Sequence, residues 1–284
     1  MRIGYLAQYS EEEVKFAVKY GFKSIELLVP PGAPLDPIKT DEKTIREAKE
    51  NLAKNDIEIS AIGHYPNNLD PDLKKRRDNS DYLLKLMDLC KKMDVKVLCT
   101  FAGREPDKDI PDNIPAFKEV FTPFAKKAED LGLKIGFENC PMFHWFPFRG
   151  VNIAYSPRAW DLMFDAVPSP ALGLEYDPSH LVCMLIDYIE IIKRYGSKIV
   201  HAHAKDAELI HPQVDIYGIL EPGTLRHRIP GYGEVNWAKV VSALVETGYR
   251  GNLDIEGRHD PVFNADLEQA GLVLALKHLQ QFVW

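Results

Sequence analysis

The chain is short of the features that mark several common protein classes. Only four cysteines occur in 284 residues (Cys90, Cys99, Cys140, Cys183), and no two have the CxxC spacing of a zinc or redox site. Their apolar surroundings imply reduced, mostly buried thiols. No run approaches the ~18 apolar residues that cross a bilayer. The N-terminus, MRIGYLAQYSEEE, enters a strand directly, without the basic-then-apolar pattern of a leader. The expectation is a cytoplasmic protein with no membrane partner. Positive charge is not in excess either: 35 basic against 42 acidic residues give −7, with no block of one sign. Nucleic-acid binding needs a concentrated basic surface, so that partner is disfavoured, whereas a small sugar is not. Finally, the first apolar run, RIGYLAQYS, lacks the GxGxxG turn of dinucleotide-binding sheets.

What the sequence has is a repeated grammar: an amphipathic segment, a short turn, then a brief apolar run ending in a polar residue. Eight such runs occur, namely RIGYLA, KSIELLV, IEISAIGH, VKVLCTFAG, LKIGFEN, LGLEYD, KIVHAHAKD and GNLDIEG. Short Val-, Ile- and Leu-rich runs are what strands buried on both faces look like. Helical patterns such as SDYLLKLMDLCKKM separate them, with Ser10, Ser80 and Ser156 as expected N-caps and Pro157 at a first helical position. Eight strand–helix alternations in a chain slightly longer than the roughly 250 residues of a β/α barrel point to one (β/α)8 TIM-barrel domain over residues 1–284. A doubly wound open sheet is the alternative. Two connections are longer than barrel packing requires: 140–155, after the fifth run, and 207–234, after the seventh. Both lie on the rim where strands end, where long loops form pocket walls. The first is aromatic, and Trp145 in it is a candidate to stack on a sugar ring, with a self-packed loop or an interface as the alternative. Exposed aromatics on these loops also make a homodimer or homotetramer an expectation.

Four of the runs end in, or lead into, a metal-type ligand: Glu138, Asp177, His203 and Glu256. In a parallel barrel all strand ends meet at one rim. Three carboxylates and one imidazole form a hard, oxygen-rich set suited to one divalent ion such as Mn, Co, Mg or Zn. A single carboxylate at a strand end reads equally well as an ion pair, but four together are harder to explain so. His201 and His203 alternate on one strand and so share a face, with His203 nearer the rim and His201 a deeper core histidine. In Asp177-Pro178-Ser179-His180, Asp177 can reach the ion while His180 enters the same pocket. His64 is a candidate substrate hydrogen-bonder. Lys205 is a candidate to hold a substrate oxygen or phosphate, or else a rim salt bridge. Arg226, His227 and Arg228 form a small basic cluster, from which Arg228 is a candidate substrate contact.

GFEN, AYSPRAWDLMFDAVPSPALGLEYDPSHLV, HAHAKD, RIPGYGEVNW and DIEGRHDP, in that order, resemble the xylose-isomerase-like barrel superfamily over essentially the whole chain. The superfamily includes sugar isomerases and epimerases, inosose dehydratases and an apurinic endonuclease family. The resemblance implies that Glu138, Asp177, His203 and Glu256 are metal ligands and that His64 and His180 line the pocket. It further implies a carbohydrate-metabolism enzyme in which Glu138 and Glu256 are the catalytic acid and base, moving a proton through a metal-stabilised enediolate. The same start can end in isomerisation, epimerisation, or loss of a β-substituent as in a dehydratase or lyase. Two departures stand out: Glu256-Gly257-Arg258-His259-Asp260 replaces a more acidic run, and Glu175 stands where Asn is common. The endonuclease reading is disfavoured by Thr100-Phe101-Ala102-Gly103, where that family supplies a histidine, and by Leu225, where it has an acid. A non-catalytic sugar-binding subunit would need broken ligands, and here all four are present.

Overall fold

Parallel pairing of short apolar strands determines the architecture, because each strand can satisfy its backbone only between two neighbours and must be covered on both faces. A computed structural model describes residues 1–144 and 149–283. The eight runs form β1 (Ile3–Ala7), β2 (Ser24–Leu28), β3 (Glu58–Gly63), β4 (Val97–Thr100), β5 (Lys134–Glu138), β6 (Leu172–Tyr176), β7 (Ile199–Ala204) and β8 (Leu253–Ile255). Each is parallel to its neighbours, and β1 pairs with β8 to close the ring as a (β/α)8 barrel. Every residue of β6 is buried, as a strand sandwiched between barrel interior and helical shell requires.

The shell comprises α1 (Glu11–Tyr20), α2 (Glu42–Lys54), α3 (Leu73–Met93), α4 (Ile110–Leu131), α5 (Pro157–Ala166), α6 (Pro178–Cys183), α7 (Tyr188–Tyr195), α8 (His211–Tyr217), α9 (Trp237–Glu246) and α10 (Glu268–Leu279). Helix α4 meets β5 through an aromatic contact in which Phe121 lies edge-on to Phe137 at 4.9 Å. Ser10 caps α1 by accepting from the Glu13 amide at 3.1 Å, and Ser156 precedes Pro157 at the start of α5. Ser80 is not a cap. It lies inside α3, which starts seven residues earlier because the Asp72 carboxylate accepts from the Lys74 and Lys75 amides. The stretch from Leu73 is too charged to show apolar periodicity, so only the cap signals the true start.

The two long connections both stand at the strand C-terminal rim. The first contains the short antiparallel pairing of Phe143–His144 with Arg149–Gly150. The second is an antiparallel ribbon of Asp206–Leu209 with Leu225–Arg228, spanned by α8. The four cysteines are free thiols, three of them buried. Among the described residues no helix is long and apolar enough to cross a membrane.

Candidate metal centre and its pocket

The ends of β5, β6, β7 and β8 bring four side chains to one point. Glu138 ends β5, Asp177 follows β6, His203 lies near the end of β7, and Glu256 follows β8. All four are at least nine-tenths buried, and one atom from each lies within 4.8 Å of the others. His203 Nδ1 is 3.5 Å from Glu138 Oε1, 3.7 Å from Glu256 Oε2 and 4.0 Å from Asp177 Oδ2. Those spacings are too long for hydrogen bonds. They are right for shared ligation, since two ligands each about 2.1 Å from one ion stand about 3 Å apart at right angles and up to ~4.2 Å across it. Asp177 Oδ2 and His203 Nδ1 are buried without a hydrogen-bond partner. A buried orphan acceptor is costly unless something unseen satisfies it. The donor set and the orphan atoms together fit a divalent cation.

The local chain explains why these groups aim inward. Asn139 and Asp177 form a reciprocal pair, the Asn139 side-chain amide donating to the Asp177 carbonyl (2.8 Å) and accepting from its amide (2.7 Å). This ties the ends of β5 and β6 together. The other Asp177 oxygen caps α6 by accepting from the Ser179 amide at 2.8 Å, leaving Oδ2 directed at the cluster. His203 is oriented from beneath. Its Nε2 is 2.9 Å from both Glu26 Oε2 and Glu175 Oε1, so this nitrogen carries the proton and Nδ1 is left as the ligand atom. The Tyr65 hydroxyl bridges the same two carboxylates, and His201 adds a further contact to Glu26 at 3.1 Å and to Asp254 at 3.2 Å. Gly63 permits this crowding, because a β-carbon there would fall 2.3 Å from Glu26 Oε1.

Electrostatics follow the geometry. Burial pushes Glu138 up, yet the His180 and His203 imidazoles outweigh it and hold the carboxyl below its usual range. Burial likewise raises Glu256, but Lys205, His259 and His203 bring it well below. Lys205 Nζ sits 2.9 Å from Glu256 Oε2, and despite burial that carboxylate keeps it protonated. Glu175 is pushed up to about 7 by burial, with Glu26 adding to the effect and His203 opposing it.

Above the cluster opens a cavity of about 460 Å³, within the range of small-molecule sites. His64, His180 and Lys205 line it. So do Tyr65, Phe101 and, from the basic cluster, His227, none of which the sequence offered as a substrate contact. Arg228 corrects the reading: it turns away from the cavity and binds Glu208 Oε2 (2.6 Å) and Asp260 Oδ2 (3.0 Å). Neighbouring residues of a strand face opposite ways, so on this ribbon Arg226 and Arg228 share the Glu208 side while His227 enters the pocket. Trp145 lies outside the described residues.

His64, edge-on to Tyr82 at 5.0 Å, is held by burial down to about 4. An NMR titration of this ring should therefore give a midpoint near 4 rather than the ordinary 6.5. Between those values the unfolded chain binds the proton and the folded one does not, so this residue removes stability as pH falls from about 6.5 toward 4. His64→Asn should flatten that part of the urea midpoint against pH. A midpoint near 6.5 would mean a solvated ring.

A family model for the xylose isomerase-like TIM barrel matches residues 14–281. The uncharacterized protein YfiH of Bacillus subtilis (strain 168) is 26% identical over 283 residues, 87% of each chain. An inosose dehydratase of Clostridium perfringens is 25% identical over 127 residues, so the match spans 43% of this chain and 41% of that enzyme. Among solved structures, a D-tagatose 3-epimerase-like protein superposes with a TM-score of 0.76 at 19% identity, covering 99% of this chain and 97% of that one. The IOLI protein, crystallised with a zinc atom, gives 0.75 at 19% identity over 100% and 99%. At such identities these two likenesses speak for the fold. By the family match over nearly its whole length, the chain belongs to the xylose isomerase-like TIM barrel family.

Proposed function

We propose that this protein is a divalent-metal-dependent enzyme that takes a proton from the carbon beside the carbonyl of a keto-sugar and returns it, an isomerase or epimerase. The observation that carries the reading is the pairing of two carboxylates, Glu138 and Glu256, at the floor of one cavity and around one ligand nitrogen, His203 Nδ1. β6 and β7 separate β5 from β8 in the ring, so the two carboxylates approach from different sides. A sugar lying across the floor meets one on each side, the arrangement needed to remove a proton at one face and deliver it at the other. Glu138, Asp177, His203 and Glu256 would hold a divalent ion, which would supply Lewis-acid polarisation of a substrate carbonyl and so acidify the neighbouring C–H.

The two carboxylates have different surroundings. Glu256 contacts Lys205 through one oxygen and His259 through the other, at 2.9 and 3.0 Å. The contacts of Glu138 are imidazoles, His180 at 3.6 Å and His203 at 3.5 Å. Glu138 is therefore the base, and Glu256 with protonated Lys205 is the side from which a proton returns. The apolar walls formed by Leu6, Leu28, Pro30 and Phe101 limit water at the reacting carbon.

A specific feature supports a second outcome. Lys205, buried and held protonated, can donate to a departing hydroxyl, which would turn the same proton abstraction into loss of water. The partial match to an inosose dehydratase points the same way. One experiment tests both. The full chain is first assayed for bound metal by mass spectrometry, with about one Mn, Co, Mg or Zn per chain expected. It is then incubated in D2O with D-fructose, D-tagatose and scyllo-inosose. Deuterium gained with the molecular formula otherwise unchanged supports isomerisation or epimerisation, whereas loss of water supports the dehydratase. Neither exchange nor water loss with any substrate, on a metal-loaded protein, would overturn the proton-abstraction reading.

A further inference from the structure

The reaction cavity does not end at the sugar-sized floor. Beside it lies a second chamber of about 240 Å³, and the two share Cys140, Met142, His180 and His227 as walls. The characters of the two spaces differ sharply. The first is lined by carboxylates, Lys205, Arg258 and five histidines besides its apolar wall. The second is bounded by Phe143 from the loop after β5, by Cys183 and Met184 at the end of α6, and by Ile219, Leu220 and Leu225 from the long excursion after β7. No Asp, Glu, Lys or Arg lines it among the described residues. His227 stays neutral there, because burial and then the nearby Lys205 and His180 hold it well below its ordinary value.

Such a chamber is a poor host for a free sugar, whose hydroxyls would find few partners and would lose hydrogen bonds to water. It is a good host for an apolar group. Met142 and Leu220 remain 43% and 48% exposed, apolar surface that an entering ligand would cover. The boundary between the spaces is polar. His180 and His227 stand there with ring centroids 4.9 Å apart, and His227 Nδ1 is buried without a hydrogen-bond partner. A ligand spanning both spaces would place its connecting atom beside that nitrogen. A linking oxygen in that position accepts from it in the tautomer that carries the ring proton on Nδ1.

We infer that the substrate of this site is a keto-sugar joined through an oxygen to an apolar group, with the sugar at the carboxylate floor and the apolar group in the side chamber. The inference rests on the keto-sugar reading above and adds to it the second half of the ligand. Continuity with the reaction cavity through shared walls favours a substituent of the substrate over a side chain from a second copy of the chain.

The test is a pair of keto-sugar probes, the methyl and phenyl β-glycosides of 3-keto-D-glucose, titrated calorimetrically into the full chain saturated with Mn²⁺. The phenyl compound is expected to bind at least about tenfold more tightly, since a phenyl ring adds much more buried apolar area than a methyl. Met184→Trp, which fills the chamber, and Leu220→Asp, which makes its mouth polar, should each bring the ratio of affinities to near one. Two variants of opposite kind guard against one that fails to fold, checked by circular dichroism. A wild-type ratio near one overturns the inference, as does a ratio that survives both substitutions. Sedimentation showing a dimer that Leu220→Asp dissociates, with no phenyl preference, would also overturn it in favour of a second copy. A phenyl preference without proton exchange on any keto-sugar refutes the reaction while supporting the chamber, and exchange without the preference does the reverse.

Discussion

Glu138→Gln is expected to lower turnover by at least about a thousandfold while leaving the fold intact. General-base catalysis alone accounts for roughly 10²–10⁴ in rate, and this residue is also expected to bind the ion. Glutamine keeps the shape of the side chain but replaces a carboxylate oxygen by an NH2 group that cannot ligate. The oxygen concerned, Oε1, lies 3.5 Å from His203 Nδ1 and 3.6 Å from His180 Nε2, at the heart of the cluster. The variant should therefore bind divalent ions more weakly as well, measured by calorimetry independently of any substrate. Its thermal midpoint without metal should fall modestly, because the folded site favours the ionised carboxyl through the His180 and His203 imidazoles and the neutral amide loses that contribution. Glu256→Gln should also abolish turnover, with one difference: it frees Lys205 and His259 from their 2.9 and 3.0 Å contacts. Full activity of either variant would sink the two-carboxylate mechanism.

How much of this was readable in the chain depends on how locally each feature is encoded. All eight strands announce themselves, because a strand buried on both faces must be a short apolar run bounded by turns. The four residues of the candidate centre could be picked out for the same reason, each being a polar residue at which such a run stops. Glu26 was not, although the signal was present. It is the one charged residue in SIELL, in the middle of β2, and its side chain is fully buried. Its partners, Tyr65, His201 and His203, lie between 39 and 177 positions away, so no local pattern reveals what it serves. Glu175 is similar, an acidic residue inside a fully buried strand that contacts His203 from beneath the candidate centre. The exchange of Arg228 for His227 as the pocket residue has another cause. The ribbon sets His227 and Leu225 opposite Ala207 and Leu209 on one side and both arginines opposite Asp206 and Glu208 on the other, but that apolar side shows only once the two strands are paired across the intervening helix. Asp260, which captures Arg228, lies 32 positions away.

Glu26→Gln is expected to weaken divalent-ion binding about 10- to 100-fold although Glu26 itself is no ligand in the candidate set. Losses of that size follow when the partner that orients a metal-binding histidine is removed. Glu26 Oε2 is the acceptor 2.9 Å from His203 Nε2, and its other oxygen accepts from Tyr65. An amide at this position can present its NH2 group to one of these donors, where it repels the proton and lets the ring turn. Nδ1 would then no longer be fixed toward Glu138 and Glu256. Glu26→Leu is a harsher test, since it removes every acceptor of this carboxylate and leaves His201, His203 and Tyr65 to share Glu175 and Asp254. Breaking a buried charged network from one side costs about 3–5 kcal/mol, which a urea midpoint would register. The two substitutions separate orientation from stability: the glutamine variant should fold with near-native stability and bind Mn²⁺ poorly, and the leucine variant should be weak in both. Manganese affinity within twofold of the wild type in Glu26→Gln would mean that Glu175 alone suffices to hold His203, and that the second carboxylate beneath the centre serves the packing of the barrel rather than the ion.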